Sequence, residues 1–241
     1  MTVFADSSRF IMDLGMNSGD DTAYYLAKGF EVVALEANPL LAQAARTRFA
    51  GAIAAGRLSV VEAAVWSKAG SVTFHVNAVN DHWSSVVRAL AGREGAATRA
   101  IEVEALTLGD LFDRFGTPLY LKIDVAGVDR IVIDQLTGQL IKPLYLSVED
   151  GRSGLDHVAA LAAAGYNGFQ LVDRSEVPQM SDPDLPYSFP PLSAGPFGEA
   201  LPDSWLEREA FEALYLSTVR DASGAPIAPP TRWFDIHAAK L

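Results

Sequence analysis

The strongest constraint in this 241-residue chain is a rhythm. From Phe10 to Val172, short apolar runs alternate with helical patterns. FIMDL (Phe10–Leu14), EVVAL (Glu31–Leu35), PLYLKIDV (Pro118–Val125), PLYLSVE (Pro143–Glu149) and Asn167–Val172 read as buried strands. Between them, helices are expected over Asp20–Lys28 with Gly29 as a stop, over the Ala-rich Pro39–Ala54, and over about 128–138 and 153–164. Pro39 suits a first helical turn. Strands separated by helices of this length form a parallel sheet covered on both faces. The expected fold is therefore α/β, a doubly wound, Rossmann-like, mostly parallel sheet.

Other segments complicate this pattern. Leu58–Val65 is β-like, and Ser71–Val76 is expected to pair with it across a turn at Gly70. Residues 77–99 lack a period and read as an excursion from the sheet, followed by a short strand at Ile101–Leu106. Thr107 with Asp110 three residues later reads as a helix cap. Between Pro178 and Pro202 seven prolines break any regular element. Tyr187, Phe189 and Phe197 argue that this stretch is tethered. Trp205–Leu216 reads as a helix. Pro230–His237 reads as a last strand, entering the sheet late and antiparallel.

Composition narrows the function classes. Apolar residues make up 49% of the chain and the net charge is −11. A globule of this size buries roughly 70% of its surface, so it needs no staples. Length and pattern suit one domain spanning 1–241. There is no basic run to suggest nucleic acid, and an anionic surface disfavours anionic membranes. Without cysteine, no disulfide, thiolate metal site or cysteine nucleophile exists. The opening MTVFADSSRF lacks the charged and apolar regions of a signal peptide, and no apolar run reaches the length of a membrane span. A cytoplasmic location is expected.

The first strand–loop–helix unit carries the strongest chemical signal. Asp13-Leu-Gly15-Met-Asn17-Ser-Gly19-Asp20-Asp21 places glycines where a loop leaves the sheet, and ligands bind at strand carboxyl ends. Glu36 ends the second strand 21 residues after Gly15, where a carboxylate can accept both hydroxyls of a ribose. A dinucleotide wants G-x-G-x-x-G and a helix N-terminus open to pyrophosphate. Here the spacing is G-x-x-x-G, and Asp20 and Asp21 would repel a phosphate. S-adenosylmethionine carries a sulfonium and an ammonium and no phosphate, so an acidic loop suits it. Structural glycines alone remain a third reading.

DLGMNSGDDTAYYL followed by VVALEANP resembles the opening of the FkbM-type S-adenosylmethionine-dependent methyltransferases. EAAVWSKAGSVTF, Ser84-Ser85, LTLGDLF before LYLKIDVAGVD, LYLSVE, SAGPFGEALPDSW and WFDIHA resemble further family stretches in order. The resemblance implies a class I methyltransferase fold with a late antiparallel strand. It implies that Gly15, Asn17 and Gly19 shape the methionine pocket, and that Asp13 holds the ammonium side, directly or through water. Glu36 would hold the ribose, with Glu62–Val65, and Ala64 among them, along the adenine edge. One position departs: where the family has Glu in Asp-Val-Glu-Gly, this chain has Ala126, and the second Glu is Asp129.

Methyl transfer to a hydroxyl needs alignment and a base for the hydroxyl proton. Asp124, which would also face the cofactor, Glu149 and His237 are the candidate catalytic groups. His237 lies two residues after Asp235, so both would face one side. His82 and Ser85, in the excursion, are candidates for contact with the acceptor. Residues 77–99 and 174–204 would cover the acceptor, a small molecule or glycan. Nothing in the spacing demands a metal. Lys122 shares a face with Asp124, which allows an ion pair. The rival classes are a nicotinamide oxidoreductase and a non-catalytic cofactor-binding module.

Overall fold

The computed structural model describes residues 9–151 and 153–241; the reading of the N-terminal segment falls mainly on residues 1–8, outside them. The chain forms two compact units, one ending at Lys142 and one beginning at Pro143.

In the first unit, β1 (Phe10–Leu14) pairs in parallel with β2 (Glu31–Leu35) on one side and β7 (Tyr120–Ile123) on the other. β2 pairs in parallel with β3 (Leu58–Val61). The chain steps outward from β1 to β3 and returns beside β1 with β7, so the strand order reverses between β1 and β7. This is the Rossmann-like arrangement expected, with a ligand crevice at the switch point. All five residues of β1 are buried, as befits a central strand with covered faces. The helices are α1 (Asp20–Ala27), α2 (Pro39–Arg48), α3 (Ala50–Ala54), α4 (Arg88–Ala91), α5 (Leu108–Phe115) and α6 (Asp129–Thr137). The Thr107 cap forms as expected: its hydroxyl accepts from Asp110 N, and the Asp110 carboxylate accepts from Thr107 N.

Three sequence expectations are corrected here. Pro39–Ala54 is two helices, because Phe49 leaves helical geometry at φ −107°, ψ 21°. Leu58–Val65 is not one strand. The chain turns at Glu62, where Ala63 N donates to Glu36 O, and resumes as β4 (Ala64–Val65) in a second sheet. β5 (Gly70–Asn77) pairs along its whole length with β6 (Thr98–Leu106), antiparallel, and not with 58–65. β4 lies on the other side of β6, in parallel. The excursion thus joins two paired strands.

The second unit holds β8 (Tyr145–Glu149), α7 (Gly154–Ala163), β9 (Gly168–Asp173), α8 (Arg208–Thr218) and β10 (Phe234–Ala239). β10 lies between β8 and β9, antiparallel to both, which is the late strand expected. It begins at Phe234, later than Pro230, and α8 begins at Arg208, later than Trp205. The proline-rich segment is tethered: Phe189 and Phe197 are buried, and the Arg174 guanidinium donates to Leu192 O.

Candidate cofactor site

The site is built where β1, β2 and β7 end. Gly15 N and Met16 N both donate to Leu35 O at 3.0 Å, which turns the chain sharply away from β1. Asn17 then takes a left-handed conformation, φ 48°, and its N–H donates to Glu36 Oε2 at 2.8 Å. Asn38 N donates to the other oxygen, Oε1, at 2.7 Å. Asn38 also caps α2 by accepting from Leu40 N. Glu36 therefore clamps the loop after β1 to the loop after β2. Burial raises its carboxyl to about 7, against the lowering effect of the two backbone donors. Each oxygen takes one backbone hydrogen bond and keeps capacity for a second donor.

A cleft of about 660 Å³, including space open to solvent, lies against this clamp. Gly15, Asn17 and Leu35–Ala37 form one side. Ala63–Val65 and Phe74 give an apolar wall, and Asp124–Ala126 with Val128 the wall at the end of β7. Asp81, His82, Ser84, Ser85 and Val86 come from the excursion. That excursion is pinned: Asn77 Nδ2 donates to Ala91 O at 2.6 Å, and Ser85 exchanges backbone hydrogen bonds with His75.

The charge of the lining is one-sided. Glu36, Asp81 and Asp124 line the cleft, and no Lys or Arg does so among the described residues. The nearby helix N-terminus offers no phosphate seat, because Asp20 sits in the first turn of α1, accepting from Ser18 Oγ and pairing with Arg48 at 2.8 Å. A cationic ligand without phosphate fits this donor set, and a pyrophosphate does not.

Of the residues singled out from sequence, Gly15, Asn17, Glu36, Ala64, His82, Ser85 and Asp124 all line this one cleft. Asp13 and Gly19 do not. Asp13 is fully buried behind the loop, accepting from Thr22 Oγ1 at 2.7 Å and Lys122 Nζ at 3.1 Å, and burial raises its carboxyl. Gly19 packs against Phe49 instead. The Ser85 hydroxyl is committed, donating to Ala126 O at 2.6 Å and accepting from Val87 N. Asp129, in the place of the family's second Glu, is buried and accepts from Val125 N and Gly127 N, so it shapes the loop after β7.

Glu149 and His237 belong to the second unit. Glu149 ends β8, opposite Asp235, and lines a separate cleft with Arg220, Arg232 and Trp233. His237 is 1% exposed inside β10, in register with Ser147 and Gln170. Burial, reinforced by Arg174, lowers its imidazole to about 3. The base expected at His237 is thus a neutral core residue, sealed from any acceptor.

Sequence reasoning missed Phe74 and Asp81. The alternation in SVTFHV is the one signal that could have marked Phe74, and it does not tell which wall a side chain joins. It also missed how completely Lys122 is enclosed, at 3% exposure.

No curated protein matches the chain. Solved structures that match include a precorrin-6y C5,15-methyltransferase from Geobacter metallireducens GS-15, at 14% identity and TM-score 0.42, covering 97% of this chain and 80% of that one. They also include the [4+2]-cyclase SpnF, at 12% identity and TM-score 0.40, covering 99% and 77%. The family model described as the methyltransferase FkbM domain matches residues 13–167, from the end of β1 to just past α7. That match spans well over half of the chain, which belongs to the FkbM methyltransferase family, whose members use S-adenosylmethionine.

Proposed function

We propose that this protein binds S-adenosylmethionine in the cleft beside Glu36 and methylates a hydroxyl of a sugar, glycan or secondary metabolite. The observation that carries the reading is the lining of that cleft: a buried carboxylate at the end of β2, further carboxylates and, among the described residues, no Lys or Arg. When bound, S-adenosylmethionine supplies an electrophilic methyl group on a sulfonium, and its leaving group is a neutral thioether.

The residues divide the remaining work. Glu36 accepts the two ribose hydroxyls with the lone pairs left after Asn17 N and Asn38 N are served. Ala63–Val65 and Phe74 offer an apolar face to the adenine. Gly15 and Asn17 bring backbone close to the methionine part. Asp124 attracts the cationic end and takes the proton of the acceptor hydroxyl as the new bond forms. His82 and Asp81, from the excursion, meet the acceptor. The excursion covers it. Alignment supplies most of the rate, because the leaving group needs no acid.

Calorimetric titration with S-adenosylhomocysteine tests the reading. The wild-type protein is expected to bind saturably, and the ligand at a hundred times its Kd to stabilise the fold by about 2.7 kcal/mol. Glu36→Ala and Glu36→Gln should both bind much more weakly. No binding by the wild-type protein at millimolar ligand would overturn the assignment.

A further inference from the structure

Behind the cleft, Lys122 Nζ is enclosed by oxygens from four places in the first unit. It lies 3.1 Å from Asp13 Oδ1 on β1, 3.4 Å from Gly15 O in the loop, and 3.3 Å from Asp21 Oδ2 on α1. Those three oxygens match the three hydrogens of the ammonium group. Asp124 Oδ2 stands further off, at 3.8 Å. It feels the charge of Lys122 but is too distant to take a hydrogen bond from it. Lys122, Asp13 and Asp21 are at most 9% exposed in their side chains, whereas Asp124 is 28% exposed and lines the cleft.

This geometry separates two tasks. The hydrogens of Lys122 hold backbone and buried carboxylates together, while its charge reaches the one carboxylate of the group that meets the ligand. That charge matters because the other charged groups around Asp124 are carboxylates. Asp129 on α6 interacts with it as a like charge. Across the cleft stand Glu36 and Asp81, with His82 the one imidazole in the lining. Asp13 and Asp21 add further negative charge behind Lys122.

We infer that Lys122 is a positioning residue of the cofactor site: it locks β1, the glycine loop and α1 together, and its charge keeps Asp124 anionic at the cleft wall. The inference rests on the cofactor reading above and adds the device that tunes it. Arginine could not substitute, because a planar fork does not match three oxygens arranged around a point ammonium.

The test measures the Kd of S-adenosylhomocysteine between pH 5.5 and 8.5 for wild type, Lys122→Met, the double variant Lys122→Met/Asp13→Asn, and Asp124→Asn. The double variant also neutralises Asp13, the carboxylate closest to Lys122, so it leaves less uncompensated buried charge than the single variant. Thermal melts establish which variants fold. Both Lys122 variants are expected to bind at least about tenfold more weakly, the loss of charge-assisted hydrogen bonds. Their loss of affinity on acidification should also begin at higher pH, because removing a neighbouring cation raises the pKa of a carboxylate. A purely structural lysine would not move that limb. Asp124→Asn should weaken binding by a similar factor and leave Asp124 out of the acid limb. A folded double variant with wild-type Kd and an unchanged acid limb overturns the inference, as does wild-type affinity in Asp124→Asn. Failure of the wild-type protein to bind would instead overturn the cofactor reading itself, and is seen first.

Discussion

A Cβ built on Gly15 would stand 1.9 Å from the carbonyl oxygen of Asp124. The loop after β1 and the end of β7 are thus in contact through bare backbone, and φ of Gly15 is +83°. Both facts require glycine at the point where the cleft wall and the cofactor loop meet. Gly15→Ala is expected to cost well over 1 kcal/mol of stability and to abolish S-adenosylhomocysteine binding. Urea denaturation and titration check the two effects separately.

The pH dependence of stability should carry a mark of Glu36. Its folded-state pKa is raised, from 4.5 to about 7, by burial. Between those values the folded protein holds a proton that the unfolded chain has released, so stability falls as pH climbs through this window. The contribution is at most roughly 3.4 kcal/mol. In Glu36→Gln that component is absent. Denaturation curves at pH 4.5 and 8 should therefore show the difference between variant and wild type changing with pH.

His237 has the opposite sign. Its folded pKa is depressed, from 6.5 to about 3. Below 6.5 the unfolded chain takes up a proton that the folded protein refuses, so stability is lost as pH falls. At pH 5.5 the loss from this group is about 1.4 kcal/mol. His237→Gln should lose less stability than wild type between pH 8 and pH 5.5. Equal acid sensitivity in the two proteins would show that the imidazole is not held neutral.

Thr107→Ala removes the hydroxyl that accepts from Asp110 N and leaves the first turn of α5 with an unmet donor. It should cost about 1 kcal/mol without affecting ligand affinity. A change in Kd would mean that α5 communicates with the cleft.

Much of the candidate site was legible because it is local. Gly15, Asn17 and Glu36 lie within 22 residues of one another, and the strand–loop–helix pattern places them at one end of the sheet. The acidic first turn of α1 argued against a phosphate, and the structure places Asp20 there in contact with Arg48. Asp13 lies behind the loop and not on the cleft, which its position in the sequence does not reveal. A carboxylate at the end of a strand reads the same whether it faces the cleft or a lysine 109 positions away. The burial of His237 is hidden likewise, since Asp-Ile-His on a strand says which residues share a face but not what covers that face.

The sequence by itself determined β1, β2 and the antiparallel β10, the glycine loop, the cap at Thr107 and the carboxylate at the end of β2. Those features rest on periodicity, turn chemistry and short spacings, which are properties of the local chain. Tertiary structure alone decided that β5 pairs with β6, that Phe74 walls the cleft, that Lys122 is ringed by Asp13, Gly15 and Asp21, and that His237 is sealed in a sheet. Strand pairing and burial depend on which distant surfaces meet, and no local pattern encodes the partner.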